Sequence, residues 1–216
     1  MRKLIYMVAA LMAATTVLAQ QDQKAKEIFK EVSEKTQAYK TISANFLFTM
    51  ENTRENINES NKGSINLKGK KYLVKLPDIG MQVFCDGKTV WNYMEDSNQV
   101  TITAVDEEGH ELLDPSSIFE IYKQGFSYKF VKEQTVKGKA LYFIDLFPES
   151  DEEDFTKIRI AIEKKRMMIH SAVTYSKDGN TYGIMVTKIS TNQPMDDKQF
   201  VFDPAKYKDI EVIDFR

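Results

Sequence analysis

The sequence has few of the residues that catalytic and metal centres require. It contains one cysteine and two histidines in 216 residues. The HExxH, CxxC, GxSxG and glycine-rich phosphate-binding patterns do not occur in it. A lone cysteine cannot form an internal disulfide, and Cys85 lies in an apolar run before a turn, which is typical of a buried structural residue. We therefore expect no catalytic residue, metal or cofactor, and a Cys85–His170 pair is the one enzymatic alternative left open.

An excess of either charge is also missing. Lysine and arginine number 30 against 32 for aspartate and glutamate, which gives a net charge of −2. Nucleic-acid-binding proteins usually carry a basic excess, so we expect no nucleic-acid partner. The acidic run at residues 148–154 is typical of a solvated hairpin loop and not of a metal site.

Long apolar runs are limited to the N-terminus. Two basic residues precede an apolar stretch from Leu4 to Ala14, and small residues follow it. This order is typical of a secretory signal peptide, and the run is shorter than the roughly 20 residues that span a bilayer. Gln20 stands where a bacterial lipoprotein carries its lipid-modified cysteine. We expect residues 1–19 to be removed, which leaves residues 20–216 as a single exported, unanchored domain.

Two segments have the periodicity of helices. Apolar residues at helical spacing predict an amphipathic helix from Asp22 to Thr41. Asp114 and Pro115 are typical of a helix start, and the short apolar helix that they open contains Ile118, Phe119 and Tyr122. Each helix has an apolar face that must pack on something else.

Period-2 alternation of apolar residues dominates the rest of the chain. Residues 44–50, 72–76 and 158–162 are examples, and the whole pattern predicts about ten to eleven strands. The polar residues 52–62 predict a long loop or the end of a hairpin. Because no βαβ alternation occurs, we expect a mainly β (α+β) fold with an antiparallel sheet. Bulky aromatic side chains on such a sheet either fill one another's gaps or leave an apolar cavity beneath the helices, and periodicity alone does not decide between these outcomes.

Residues 86–93, DGKTVWNY, resemble the D-G-K-T-x-W-x-Y signature of the LolA family, the periplasmic carriers of outer-membrane lipoproteins. Further segments similar to the family occur in the same order, residues 44–46 and 63–67 before the signature and residues 200–204 after it. The similarity covers nearly the whole chain beyond the expected signal peptide. It implies a curved, incomplete antiparallel β-barrel with helices as a lid over an apolar cavity.

The resemblance also implies a function and partners. LolA proteins take triacylated lipoproteins from an inner-membrane ABC transporter, carry them through the periplasm and hand them to an acceptor at the outer membrane. On this basis we expect a monomeric periplasmic chaperone that binds the acyl chains of lipid-modified proteins. The residues expected to line its cavity are Phe46, Phe48, Leu67, Tyr72, Val74, Trp91 and Tyr93, with Ile118, Phe119 and Tyr122 beneath the lid.

One departure from the family pattern leaves alternatives open. The family usually has an Arg-Pro pair after the second strand, whose arginine holds the lid closed, but Lys68–Gly69–Lys70–Lys71 stands here. Lysine lacks the planar, two-pronged hydrogen bonding of arginine. A carrier of other lipids or glycolipids, an envelope-sensing module and a structural protein with a filled core therefore stay as alternatives.

Overall fold

The computed structural model describes residues 22–105 and 125–216. The expected signal peptide and the second predicted helix, with Ile118, Phe119 and Tyr122, lie outside this part of the chain. Within it, no helix is both long enough and apolar enough to cross a membrane.

One helix and twelve strands make up the described fold. Residues 22–37 form the helix, α1. It ends before the predicted Thr41, because the hydroxyl of Thr41 donates to the Gln193 carbonyl at 2.7 Å and Ile42 already begins a strand. The strands are β1 (Ile42–Asn52), β2 (Ile57–Lys68), β3 (Lys71–Leu76), β4 (Met81–Cys85), β5 (Thr89–Met94), β6 (Gln99–Ala104), β7 (Phe126–Val136), β8 (Lys139–Pro148), β9 (Phe155–Glu163), β10 (Met168–Ser176), β11 (Thr181–Thr191) and β12 (Glu211–Asp214).

All twelve strands belong to one sheet, in the order β12-β6-β5-β4-β3-β2-β1-β11-β10-β9-β8-β7. Neighbouring strands are antiparallel except for β6 and β12, which are parallel. The end strands β7 and β12 do not pair with each other, so the sheet is curled but open. The predicted incomplete antiparallel barrel is confirmed, with one short parallel strand that the sequence pattern did not indicate.

Of the two alternatives predicted for residues 52–62, the hairpin end is confirmed and the long loop is wrong, because β2 begins at Ile57 and pairs with β1. The polar residues 58–62 pair with β1, and most of their side chains are exposed. Backbone hydrogen bonds hold such a strand without apolar side chains, since water solvates the polar ones. The loop reduces to a tight turn at residues 53–56, where Asn56 takes a left-handed conformation.

The two faces of the sheet are covered by different parts of the chain. Side chains alternate between the faces along each strand, and α1 packs on the face that we call the inner face. Full burial of an aliphatic or aromatic side chain contributes about 1.5–3 kcal/mol, so the apolar stripe of α1 holds the helix in place. The residues buried in this contact are Ala25, Ile28, Phe29 and Val32 of α1, together with Ile144, Leu146, Ile158, Ile160, Ile162, Met167 and Ala172.

The opposite, outer face is covered at β3–β6 by the C-terminal segment, residues 192–210. Phe200 and Phe202 are buried there, and the ring of Phe202 lies 5.5 Å from that of Phe84. Beyond this segment, β12 pairs with β6 and ends the sheet. The strand residues buried beneath the segment are Leu73, Phe84, Tyr93, Val100 and Ile102.

Replacing Phe200 with alanine should destabilise the protein by about 3–5 kcal/mol, because Phe200 is 0% exposed and its loss leaves a cavity under the C-terminal segment. The matched control is Val201→Ala, since Val201 is 43% exposed and its truncation should cost less than about 0.5 kcal/mol. Chemical denaturation followed by circular dichroism measures both free energies of unfolding. Equal losses in the two variants would contradict the position of Phe200 in the core.

Candidate functional site

The ten residues predicted to line one cavity do not share one surface. Trp91 and Tyr93 lie on the outer face, and three of the ten lie outside the described residues. The other five lie on the inner face, with Leu67, Tyr72 and Val74 buried and Phe46 and Phe48 partly buried.

Trp91 and Tyr93 belong to the core under the C-terminal segment. Tyr93 is buried, and its ring lies 5.6 Å from that of Phe202 and 4.4 Å from that of Tyr207. Trp91 packs against the same cluster. We therefore leave both residues out of the candidate wall on the inner face.

The register of three strands explains this placement. Tyr72 pairs with Cys85, and Cys85 pairs with Val90. Residues that pair across antiparallel strands share a face, so Val90 is the β5 residue on the same side as Tyr72. Trp91, one position further along, therefore points to the other side.

A strip of partly exposed apolar side chains crosses the middle of the inner face. Its side chains belong to β1 and β11. Ile184, at the centre of the strip, is 38% exposed. The rings of Phe48 and Tyr182 stack with their centroids 6.5 Å apart. This central strip consists of three cross-strand pairs, Phe46 with Val186, Phe48 with Ile184 and Met50 with Tyr182.

Buried clusters flank the central strip on both sides. On one side Ile184 pairs with Ala172, which belongs to the cluster under α1. Cys85, which is buried as the sequence predicted, lies in the cluster on the other side. The strip thus presents apolar surface to solvent between two closed cores. The second cluster consists of Ile42, Leu67, Tyr72, Val74, Leu76, Val83, Cys85 and Val90.

Phe46 keeps its place because the residue opposite it is a glycine. Gly63 pairs with Phe46 across β1 and β2. A Cβ atom at position 63 would collide with the Phe46 ring and approach the Leu76 side chain. A glycine inside a strand often marks such a close approach, so Gly63 was a usable sequence signal for this contact.

Hydrogen bonds between two turns fix one end of the central strip. Asn52 Nδ2 donates to Asn180 Oδ1 at 2.8 Å, and Asn180 Nδ2 donates to the Tyr182 hydroxyl oxygen at 3.3 Å. Asn52 is itself buried, and its Oδ1 accepts from the Arg54 amide at 3.1 Å. This network joins the β1–β2 and β10–β11 turns and orients the Tyr182 ring beside Phe48.

Four of the six residues of the central strip were not among the predicted cavity residues. The alternation at residues 182–186 indicated a strand. No sequence signal predicted that this strand, β11, pairs with β1. The two strands are far apart in the chain and become neighbours only when the whole sheet has formed. The four residues are Met50, Tyr182, Ile184 and Val186.

The lysines at the position of the family's latch bind the C-terminal segment. Lys68 Nζ and Lys71 Nζ contact the two carboxylate oxygens of Asp197 at 2.6 Å and 2.8 Å. These hydrogen bonds, that of Lys68 first, lower the pKa of Asp197 to about 2. Lys68 Nζ also donates to the Met195 carbonyl at 3.1 Å. In this chain the lysines hold the C-terminal segment on the outer face.

A groove of about 240 Å³ runs along α1, but its lining is half charged. Pockets that bind drug-sized ligands usually enclose about 300–1,000 Å³ and are mostly apolar. Lys24 reaches over this region, with its Nζ 3.8 Å from the centroid of the Phe130 ring. The central strip is therefore the better candidate for an apolar ligand. The groove is lined by Lys24, Glu27, Ile28, Glu31, Tyr142 and Met167.

Comparison with known proteins agrees with the fold. The family model described as outer membrane lipoprotein carrier protein LolA matches residues 37–203, a range that contains the whole central strip. An uncharacterised protein of Methanocaldococcus jannaschii is 24% identical over 183 residues, which are 84% of this chain and 52% of that protein. The chain thus spans about half the length of this relative.

Solved structures resemble this chain to different degrees. An uncharacterised conserved protein from Thermus thermophilus superposes with a TM-score of 0.59 at 15% identity, over 88% of this chain and 99% of that one. A LolA superfamily protein from Nitrosomonas europaea gives a TM-score of 0.44 at 11% identity, over 82% of this chain and 97% of its own. At 15% identity the likeness to the Thermus protein extends to the fold alone.

The Asp197 contact should make the docking of the C-terminal segment sensitive to acid. The folded pKa of about 2 lies below that of an unfolded aspartate, about 3.9. The contact therefore stabilises the folded state above the unfolded pKa, and this stabilisation is lost as the pH falls through the folded pKa. NMR shifts of the segment's amides, followed between about pH 5 and pH 2, should report its release.

Asp197→Asn should abolish the acid-induced release of the C-terminal segment, because asparagine does not titrate. The variant should also weaken the docking of this segment at neutral pH, because the ion pairs with Lys68 and Lys71 are lost. Asp209→Asn is the control, because Asp209 is exposed and its only ion pair within residues 22–105 and 125–216 is a 4.0 Å contact with the adjacent Lys208. An acid transition that is the same in Asp197→Asn and in the unchanged protein would rule out this carboxylate as its origin.

Proposed function

The chain belongs to the LolA family, and on that premise we propose that it is a periplasmic carrier that binds the acyl chains of lipid-modified proteins on the central strip. The observation that carries the proposal is the partly exposed apolar surface around Phe48 and Ile184, between two buried clusters. Apolar surface in contact with water is unfavourable, and an apolar ligand that covers it is stabilised.

Acyl chains have the chemistry that suits this surface. Each methylene moved from water into apolar contact contributes about 0.8 kcal/mol, so one chain of ordinary length contributes on the order of 10 kcal/mol. The central strip contains aromatic and aliphatic side chains and no charged group. Leu67, Tyr72 and Val74, buried beside the strip, form the rest of the proposed wall.

Binding of this kind involves no chemical step, and we propose a carrier and not an enzyme. A carrier must load at one membrane and release at another, so a partner has to bias the equilibrium between its loaded and empty forms. The proposed partners are an inner-membrane ABC transporter that delivers the lipoprotein and an acceptor at the outer membrane. Depletion of the protein should then cause lipoproteins to accumulate at the inner membrane.

A carrier or sensor of a different lipid is the second candidate. It is supported by the segment Lys68–Lys71, whose lysines bind Asp197 where family members use an arginine to hold the lid. A different closure would suit a different cargo. Mass spectrometry of ligands that copurify with the protein separates the candidates, because triacylated lipoprotein supports the first and free lipid or glycolipid supports the second.

Replacing Phe48 with glutamate should weaken the binding of a fluorescent triacylated peptide at least about tenfold, a loss of about 1.4 kcal/mol or more. The reason is that an acyl chain on the strip would remove water from the new carboxylate. Phe48 is partly exposed, so the fold should persist, and circular dichroism checks this. Fluorescence titration of the peptide measures the affinity.

Phe215→Glu introduces the same charge at a residue that is 69% exposed, away from the strip, and should bind the peptide as the unchanged protein does. Ile184→Glu provides an independent second variant on the other strand of the strip. Unchanged peptide affinity in both folded strip variants would refute the central strip as the acyl-binding surface.

A further inference from the structure

Half of the outer face lies beyond the reach of the C-terminal segment. That segment packs on β3–β6, and the rest of the outer face consists of outward side chains of β7–β11, β1 and the first half of β2, of which Leu141, Ala161 and Asp145 are buried and others are exposed. We call this area the bare outer face. On it, Met185 is 40% exposed and Phe147 is 36% exposed. With neighbouring strands about 4.8 Å apart, the area is roughly 29 Å wide.

A mostly apolar row, with Ala161 buried and Met185 exposed, crosses the middle of the bare outer face. Lysines end the row on both sides, because Lys132 pairs with Phe143 and Lys62 pairs with Leu47. Lys132 Nζ lies 5.3 Å from the centroid of the Phe143 ring. The register places five side chains of the row side by side on adjacent strands, namely Phe143, Ala161, Ser171, Met185 and Leu47.

The unpaired charge around this row is mostly positive. The whole chain carries a net charge of −2, so a positive face is a local concentration and does not follow from composition. Of the acidic residues on the strands of this face, only Glu51 at its edge is exposed without an ion pair in the described ranges, and the loop at residues 149–154 carries further exposed acidic residues at one end of the face. Four exposed lysines likewise have no ion-pair partner among the described residues, Lys62, Lys129, Lys132 and Lys188.

The two other acidic side chains on the strands of this face form ion pairs with neighbouring basic residues. Asp145 is buried and accepts two hydrogen bonds from the Arg159 guanidinium, at 2.7 Å and 2.8 Å. Glu163 contacts Lys139 Nζ at 3.7 Å. The acidic residues 149–154 form the loop beyond Phe147, at one end of the face and away from the row that the lysines flank.

We propose that the bare outer face docks on an anionic bilayer surface. Lysines distributed over the outer face attract anionic headgroups, and their flexible stems let the apolar row enter the headgroup boundary. Each lysine near such a surface strengthens binding about fivefold. Docking brings the protein to a membrane with its inner face turned away from the bilayer, and it is independent of which cargo the central strip binds.

Cosedimentation of the full-length protein with vesicles tests the proposal. The probes are vesicles of phosphatidylcholine alone and of phosphatidylcholine with phosphatidylglycerol in equal parts. The protein should bind the anionic vesicles and not the neutral ones, and added salt should weaken the binding by screening. The double variant Lys62→Glu/Lys132→Glu should bind the anionic vesicles at least about twentyfold more weakly.

The matched control is Lys30→Glu/Lys35→Glu, which makes the same change of charge on the exposed side of α1 and should bind nearly as the unchanged protein does. Absence of vesicle binding, equal binding to both vesicles, or equal losses in the two double variants would each overturn the proposal. Lys62→Glu/Lys132→Glu should keep its affinity for the triacylated peptide, so a failure here is distinguishable from a failure of the central strip.

Discussion

Partial coverage of a wide sheet is the constraint on which the rest of this structure depends. A sheet of twelve strands has two extensive faces, and the described chain has one helix and one C-terminal segment to cover them. α1 covers the inner face at β8–β10, and the C-terminal segment covers the outer face at β3–β6. The inner-face side chains of β2–β5 are buried as well. The apolar surface that stays exposed therefore lies beside these buried clusters, as the central strip on the inner face and as the bare outer face on the other.

Local patterns in the sequence predicted local structure. The helical spacing of Ile28, Phe29 and Val32 located α1, and period-2 alternation located most strands, since both patterns follow from burial of one side of an element. The polar half of β2 was missed for the same reason. Residues 58–62 are held by backbone pairing, which requires no apolar pattern and therefore leaves no trace in the sequence.

The site depends on long-range pairing, which periodicity does not contain. Phe48 was predicted and its partner Ile184 was not, because nothing local indicates that β1 and β11 are neighbours. Trp91 is a different case. Alternation correctly placed Trp91 and Val90 on opposite faces, and the short turn at Asp86–Gly87 aligns Val90 with Cys85. Because Cys85 and Val90 pair across this turn, the sequence alone would have sufficed to predict that Trp91 lies on the face opposite to Cys85.

Attachment of the C-terminal segment on the outer face allows the inner face to stay open. Phe200 supports β3–β6 from behind, and Asp197 ties the segment to Lys68 and Lys71. Neither contact involves Phe48 or Ile184, so the sheet is held by clusters on either side of the central strip and not by the strip itself. The proposed carrier function requires this separation. If the surface that binds hydrocarbon also held the sheet together, each release of cargo would remove part of the core on which folding depends.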